Sequence, residues 1–198
     1  MRDIWYADKR DLVKWSVLHY LAEENEIRQI LQVAYFREST YGQVKIDDQE
    51  LGLPSAVLSH FRDIRQIKNL GGRAQIQVLT DLFSDRKSYM KKVISFISQY
   101  KNEKCIVFLD PDTGLEPLNA ANLNHVLDDE AKAIWEEMKQ GDLLVLYQHQ
   151  TNRRGQPWKE EKRQQFISAL GVPNHAVKIA EAENVANDVV FYYSEKEQ

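Results

Sequence analysis

Short apolar runs alternate with amphipathic segments along this chain. Residues 105–109 and 143–147 carry no polar position, which is typical of strands buried on both faces of a parallel sheet. Further strands are expected at 28–36 and 74–79, with a closing hairpin at 176–180 and 189–193. Periodic apolar positions predict helices at 9–24, 54–70, 85–100, 130–140 and 159–170, while 43–54 is interpreted as irregular.

This alternation predicts an α/β fold. We expect a three-layer Rossmann-like domain, with a mostly parallel sheet, helices on both faces and an antiparallel hairpin at the C-terminus. The runs 105–109 and 143–147 should be adjacent parallel strands in the middle of the sheet, because only central strands need to be apolar throughout.

An acidic turn follows the run 105–109. Asp110, Asp112 and Glu116 lie where a parallel strand ends, and open parallel sheets place their sites at that edge. Asp110 and Asp112 are candidate ligands of Mg²⁺, and all three carboxylates are candidate catalytic residues. The alternative is a turn whose aspartates bind local backbone amides.

A second polar tract, 148–154, follows the run 143–147. If the two strands are neighbours, His149 lies on the same edge as Asp110 and is a candidate general base or metal ligand. Arg153 and Arg154 are candidates for holding a phosphate. The plainer alternative is a hydrogen-bonded histidine at a strand end and two arginines in a solvated loop.

Basic residues surround Trp158. Trp158 is expected to be exposed for base stacking, and the basic side chains beside it suit contact with a nucleic-acid backbone; they are Arg153, Arg154, Lys159, Lys162 and Arg163. Glutamates interrupt the patch, so a charged helix face is the alternative.

The remaining polar groups are assigned ordinary roles. Asp11 and Lys14 are three positions apart and predict a surface ion pair on the first helix. Cys105 is interpreted as a small buried hydrophobe. The other histidines lack the spacing of zinc ligands; they are His19, His60, His125 and His175.

The overall composition is that of a globular protein. The 198 residues are 43% apolar and 28% charged, which predicts one globular domain over 1–198. No apolar run has the length of a membrane span and no signal peptide is expected, so a cytoplasmic protein is predicted. The net charge of −4 means that a nucleic-acid partner needs a local basic patch. The oligomeric state is left open.

Asp110-Pro111 after a buried strand resembles motif IV of class I Rossmann-like methyltransferases. It is also similar to the Asp-Pro-Phe-Gly segment of three-Cys-motif partner proteins. The resemblance implies an S-adenosylmethionine cofactor, with Asp110 orienting a target amine and Glu38 or Asp81 contacting the ribose of the donor. Two features depart from it: 36–42 is not a glycine-rich loop, and no aromatic residue follows Asp110-Pro111.

Asp110-Pro111-Asp112 with Gly114 and Glu116 also resembles the Asp-x-Asp segment of Toprim domains. That resemblance implies a Mg²⁺-dependent nuclease or phosphoryl-transfer enzyme, with Glu38 as the carboxylate after an earlier strand. The hypothesis is therefore an enzyme acting on nucleic acid or a nucleotide, methyltransferase-like or Toprim-like. A non-catalytic nucleic-acid-binding or interaction protein is the third alternative.

Overall fold

The computed structural model describes residues 9–37, 43–46, 48–54, 56–57, 64–117, 122–150 and 157–197. The helices are α1 (Lys9–Glu24), α2 (Arg86–Ser98), α3 (Asp128–Glu137), α4 (Trp158–Leu170) and α5 (Glu183–Ala186), with 3-10 turns at Ile64–Asn69 and Asn174–Ala176. The strands are β1 (Gln29–Val33), β2 (Gln43–Ile46), β3 (Gln49–Gly52), β4 (Gln75–Leu79), β5 (Cys105–Leu109), β6 (Gly114–Leu115), β7 (His125–Val126), β8 (Leu143–His149), β9 (Lys178–Ala180) and β10 (Val189–Glu195).

Six strands form the main sheet in the order β4-β1-β5-β8-β10-β9. The first four are parallel, while β10 runs antiparallel to both β8 and β9. The predicted Rossmann-like α/β fold is therefore confirmed, together with its C-terminal antiparallel hairpin. The prediction that β5 and β8 are adjacent parallel strands inside the sheet is also confirmed.

Two apolar clusters cover the two faces of the sheet. On one face, α1 and α5 pack over alternate residues such as Ile30, Ile106 and Val145. On the other face, α2, α3 and α4 pack over Leu31 and Val107. Because both faces are covered, β5 needs apolar residues at every position, as its sequence indicated.

The segment between β1 and β4 differs from the expectation. Residues expected to be irregular form the β2–β3 hairpin, and the positive φ of Asp48 suits its tight turn. Of the predicted helix 54–70, the structure shows a 3-10 turn at Ile64–Asn69, and residues 58–63 lie outside the described part. No helix in the described residues is long and apolar enough to cross a membrane.

Candidate functional site at the carboxyl edge of the sheet

The order of the strands reverses between β1 and β5, which makes this the topological switch point of the sheet. From β1 the chain passes outward to β4 and then crosses back to β5 on the opposite side of β1. The crevice beyond the carboxyl ends of two such strands is where open α/β sheets bind ligands. Asp110 follows the last residue of β5, and its backbone N–H donates to Val33 O at 3.0 Å, so it lies at this crevice.

A buried charged network surrounds Asp110. Lys14 Nζ lies 3.0 Å from both carboxylate oxygens of Asp110 and 2.7 Å from Asp11 Oδ1. Gln32 Nε2 donates to the same carboxylate at 2.7 Å, and the Tyr147 ring lies 5.3 Å from Lys14 Nζ. Asp110 is 1% exposed and Lys14 is 4% exposed, so the network is removed from bulk water.

Two carboxylates in this network share one ammonium group. Burial alone would lower the pKa of Lys14, but the charges of Asp110 and Asp11 raise it well above its ordinary value. Burial raises the pKa of Asp110, and Lys14 opposes that shift. Separating Lys14 from its carboxylates would leave uncompensated charge inside the protein, so breaking these contacts is costly.

The Asp11–Lys14 pair was expected on the surface, and that expectation is wrong. Both side chains lie on the face of α1 that carries Trp15 and Leu18 into the core. The helical spacing of these positions was visible in the sequence. The sequence did not reveal Asp110, the partner 96 residues away whose charge compensates the buried lysine.

The three carboxylates of the acidic turn take separate partners. Asp112 accepts a hydrogen bond from Arg37, which also donates to Asn124 Oδ1. Glu116 Oε1 accepts from the backbone N–H of Asp128 at 3.2 Å. Among the described residues, no group of three or more histidine, cysteine or acidic side chains is arranged to hold a metal ion.

The acidic turn is held in place from β8 and α4. Gln148 Oε1 accepts from the N–H of Leu115 at 2.9 Å, and its Nε2 donates to Thr113 O at 3.0 Å. A Cβ at Gly114, whose φ is +113°, would lie 2.2 Å from Gln148 Oε1. Lys162 Nζ donates to Glu116 O at 2.7 Å and to Leu115 O at 3.3 Å.

His149 lies at the end of β8, beside a carboxylate that sequence analysis did not identify. His149 Nε2 is 3.3 Å from Asp188 Oδ2, and Arg10 Nε donates to the same oxygen at 3.2 Å. Burial acts to raise the pKa of Asp188, but the hydrogen bond and charge of Arg10 lower it below its ordinary value. Asp188 precedes β10, so its proximity to His149 depends on the antiparallel pairing of β8 and β10.

The loop after β1 is built on aromatic residues. Tyr35 has a φ of +45°, which is uncommon for a residue with a side chain, and its N–H donates to the Tyr89 hydroxyl at 2.9 Å. Its ring packs on Phe83 and Tyr89 with centroids 5.1 and 5.4 Å away. Backbone strain of this kind concentrates at functional sites.

The candidates for contacting a cofactor differ in accessibility. Asp81 lies two residues beyond β4, pairs with Lys92, and keeps 40% of its side chain exposed. Glu38 lies outside the described residues.

The described residues do not form the exposed basic surface that the sequence predicted. Trp158 is 6% exposed, so the expectation of an exposed aromatic for base stacking is wrong. Lys162 is 8% exposed and binds carbonyl groups, while Arg163 Nε donates to Val177 O at 2.9 Å. These side chains fasten α4 to its neighbours, which the helical pattern alone did not reveal. Arg153 and Arg154 lie outside the described residues.

No protein-family model and no curated protein matches the chain. Among solved structures, a protein named "putative methyltransferase" from Thermobifida fusca YX aligns with a TM-score of 0.45 and 10% identity, over 96% of this chain and 81% of that one. A DUF574 family protein from Streptomyces avermitilis MA-4680 aligns with a TM-score of 0.45 and 11% identity, over 95% and 82%. At these scores neither alignment informs function, and the fold assignment rests on the strand order.

Proposed function

We propose that this protein is a methyltransferase-like enzyme that binds S-adenosylmethionine in the crevice beyond β1 and β5 and acts on a nucleic acid or nucleotide. The observation that carries the proposal is the buried network of Asp110, Lys14 and Asp11 at the switch point of the sheet. Buried ion pairs contribute little net stability, so a charged network at the ligand-binding edge favours a functional interpretation.

One described residue, Asp81, is placed to contact the cofactor, and this contact can be tested. Rossmann-like folds use an acidic side chain near the next strand to bind the ribose of a nucleotide. Asp81 follows β4, the outer neighbour of β1, and its carboxylate is accessible. Asp81 would hold the ribose, and the cofactor would supply an electrophilic methyl group.

The role of Asp110 is better described as positioning than as direct contact with an amine. Its carboxylate is enclosed by Lys14 and Gln32, so it ties α1 to the ends of β1 and β5. Arg37 and Lys14 already supply the positive charges that face Asp112 and Asp110, which favours S-adenosylmethionine over Mg²⁺ as the ligand of this edge. The proposal that the methyl acceptor is a nucleic acid or nucleotide rests on the sequence of the tract 148–154, whose first two residues end β8 at the same edge.

Thermal unfolding with added ligand tests the proposal. S-adenosylmethionine should raise the midpoint of unfolding of the wild type, because a ligand bound only by the folded state stabilises it. Asp81→Asn should weaken that effect, and the control Glu136→Gln, which removes an exposed carboxylate of α3, should not. A response to Mg²⁺ alone would support the phosphoryl-transfer alternative, and no response to either would support a non-catalytic binding protein.

A further inference from the structure

His125 makes a short contact within the acidic turn. Its Nδ1 lies 2.5 Å from Thr113 Oγ1, and the Thr113 hydroxyl is also 3.0 Å from Asn124 O. The strands β6 and β7 pair Gly114 with His125, so the histidine is held beside the turn by the backbone as well.

This geometry fixes the position of a proton. The Asn124 carbonyl can only accept, so the Thr113 hydroxyl donates its single hydrogen there, since the alternative brings two oxygen lone pairs together. Thr113 Oγ1 must then accept from His125, and Nδ1 carries the ring hydrogen. In the neutral ring, Nε2 is left with a lone pair, and no described residue hydrogen-bonds to it.

The surroundings favour the neutral ring. Burial lowers the pKa of His125 below its ordinary value, and the nearby charges of Lys162 and Arg86 lower it further. Glu116 and Asp112 act in the opposite direction and do not offset this. An unprotonated imidazole with a fixed tautomer is the form required of a general base.

His125 is linked through its neighbour to both strands at the crevice. Asn124, its neighbour in the chain, binds Arg37, and Arg37 binds Asp112 of the acidic turn. Arg37 follows β1 and Asp112 follows β5, so this chain of contacts spans the two strands that define the switch point.

We propose that His125 is the general base of this edge and accepts a proton, at Nε2, from an N–H or O–H group of the acceptor substrate. The proposal rests on the proposed function. In the transfer, the acceptor atom forms the new bond to the methyl carbon, the electron pair of the carbon–sulfur bond stays on sulfur, and the acceptor proton moves to Nε2. The substrate class is therefore one whose nucleophile must lose a proton, such as an amine, amide or hydroxyl of a nucleic acid or nucleotide.

The first test does not need a substrate. In a ¹H–¹⁵N spectrum of the histidine rings, His125 should be neutral at pH 7 with its hydrogen on Nδ1. The exposed His175 provides an internal reference. A hydrogen on Nε2, or a doubly protonated ring at pH 7, would overturn the proposal whether or not S-adenosylmethionine binds.

The second test uses His125→Asn, whose amide can still donate to Thr113 but lacks the base. With labelled S-adenosylmethionine and a pool of oligonucleotides and nucleotides, methyl transfer should fall about 100-fold or more while cofactor affinity is unchanged. Wild-type transfer should also decline as the pH falls through the pKa of His125, and His175→Asn should behave as the wild type. Equal rates for His125→Asn and wild type would refute the base, whereas a lack of cofactor binding would refute the proposed function and leave the spectrum to decide.

Discussion

Two buried lysines hold the acidic turn from opposite faces of the sheet, and they do so by different means. Lys14, from α1, is surrounded by the carboxylates of Asp11 and Asp110. Lys162, from α4, donates to the backbone carbonyls of Leu115 and Glu116 and to the Gln165 side chain.

Their electrostatics differ accordingly. Carboxylates raise the pKa of Lys14, whereas burial lowers the pKa of Lys162. The neutral carbonyl groups and more distant carboxylates around Lys162 offset the effect of burial only in part. The contacts of Lys162 hold a turn in place without concentrating charge. The contacts of Lys14 concentrate charge beside the crevice, and this difference is why the Lys14 network carries the proposed function.

Removing Lys14 should have the largest effect. Lys14→Met removes the ammonium group that Asp11 and Asp110 share and should cost about 3–5 kcal/mol of unfolding free energy. Lys162→Met leaves only carbonyl acceptors and should cost about 1–3 kcal/mol. Urea unfolding measures both. Adding Asp110→Asn to Lys14→Met should recover part of the loss, and equal costs for the two lysines would break the comparison.

Gly114→Ala should have the next largest effect. The new methyl group would displace the Gln148 amide that fastens the turn, and the backbone would be strained at φ +113°. The loss of those buried hydrogen bonds should cost about 2–3 kcal/mol. Gly71→Ala is the control, since nothing lies within 4 Å of the added carbon there. Similar unfolding midpoints for the two variants would contradict the described turn.

The pH dependence should separate the two lysines. Because the pKa of folded Lys162 is below 10.5, the unfolded chain binds more protons between that pKa and 10.5, and the contribution of Lys162 to stability rises with pH in that window. The pKa of folded Lys14 is above 10.5, so its contribution is complete below 10.5 and is lost only at higher pH.

Unfolding free energies of the wild type, Lys14→Met and Lys162→Met between pH 8 and 10.5 measure these contributions. The difference between wild type and Lys162→Met should grow with pH, while the difference for Lys14→Met should stay level. Parallel changes for both variants would show that the two environments are not distinct.

A surface lysine should show the smallest effect. Lys159 pairs with Glu181 and Glu183 at the protein surface, where water screens the charges. Lys159→Ala should change the unfolding free energy by about 0.5 kcal/mol or less. A loss as large as that of Lys162→Met would mean that the accessible pairs of α4 matter as much as its buried contacts.

The sequence predicted the scaffold well because burial leaves a periodic pattern. The apolar strand β5 and the helix α1 were placed with the observed bounds, since one needs apolar residues throughout and the other an apolar stripe. The β2–β3 hairpin was missed because its polar residues lack that pattern.

The candidate site was predicted only in position. The sequence placed Asp110 at a strand end, but the partners of Asp110, Asp112 and Glu116 come from α1, the segment after β1 and the start of α3. Such pairings depend on tertiary packing between distant segments. His125 was not predicted as a site residue for the same reason, because its contacts with Thr113, and those of Thr113 with Asn124, form only in the folded turn.

A crystal structure with bound S-adenosylmethionine tests the central claim most directly. We predict density for the cofactor beyond the carboxyl ends of β1, β4 and β5, with its ribose hydroxyls within hydrogen-bond distance of Asp81 and with the Lys14–Asp110 contact retained. Density at the opposite edge, for example in the cavity lined by Cys105, Met138 and Asp142, would contradict the account. So would crystals that stay free of the cofactor at millimolar concentration.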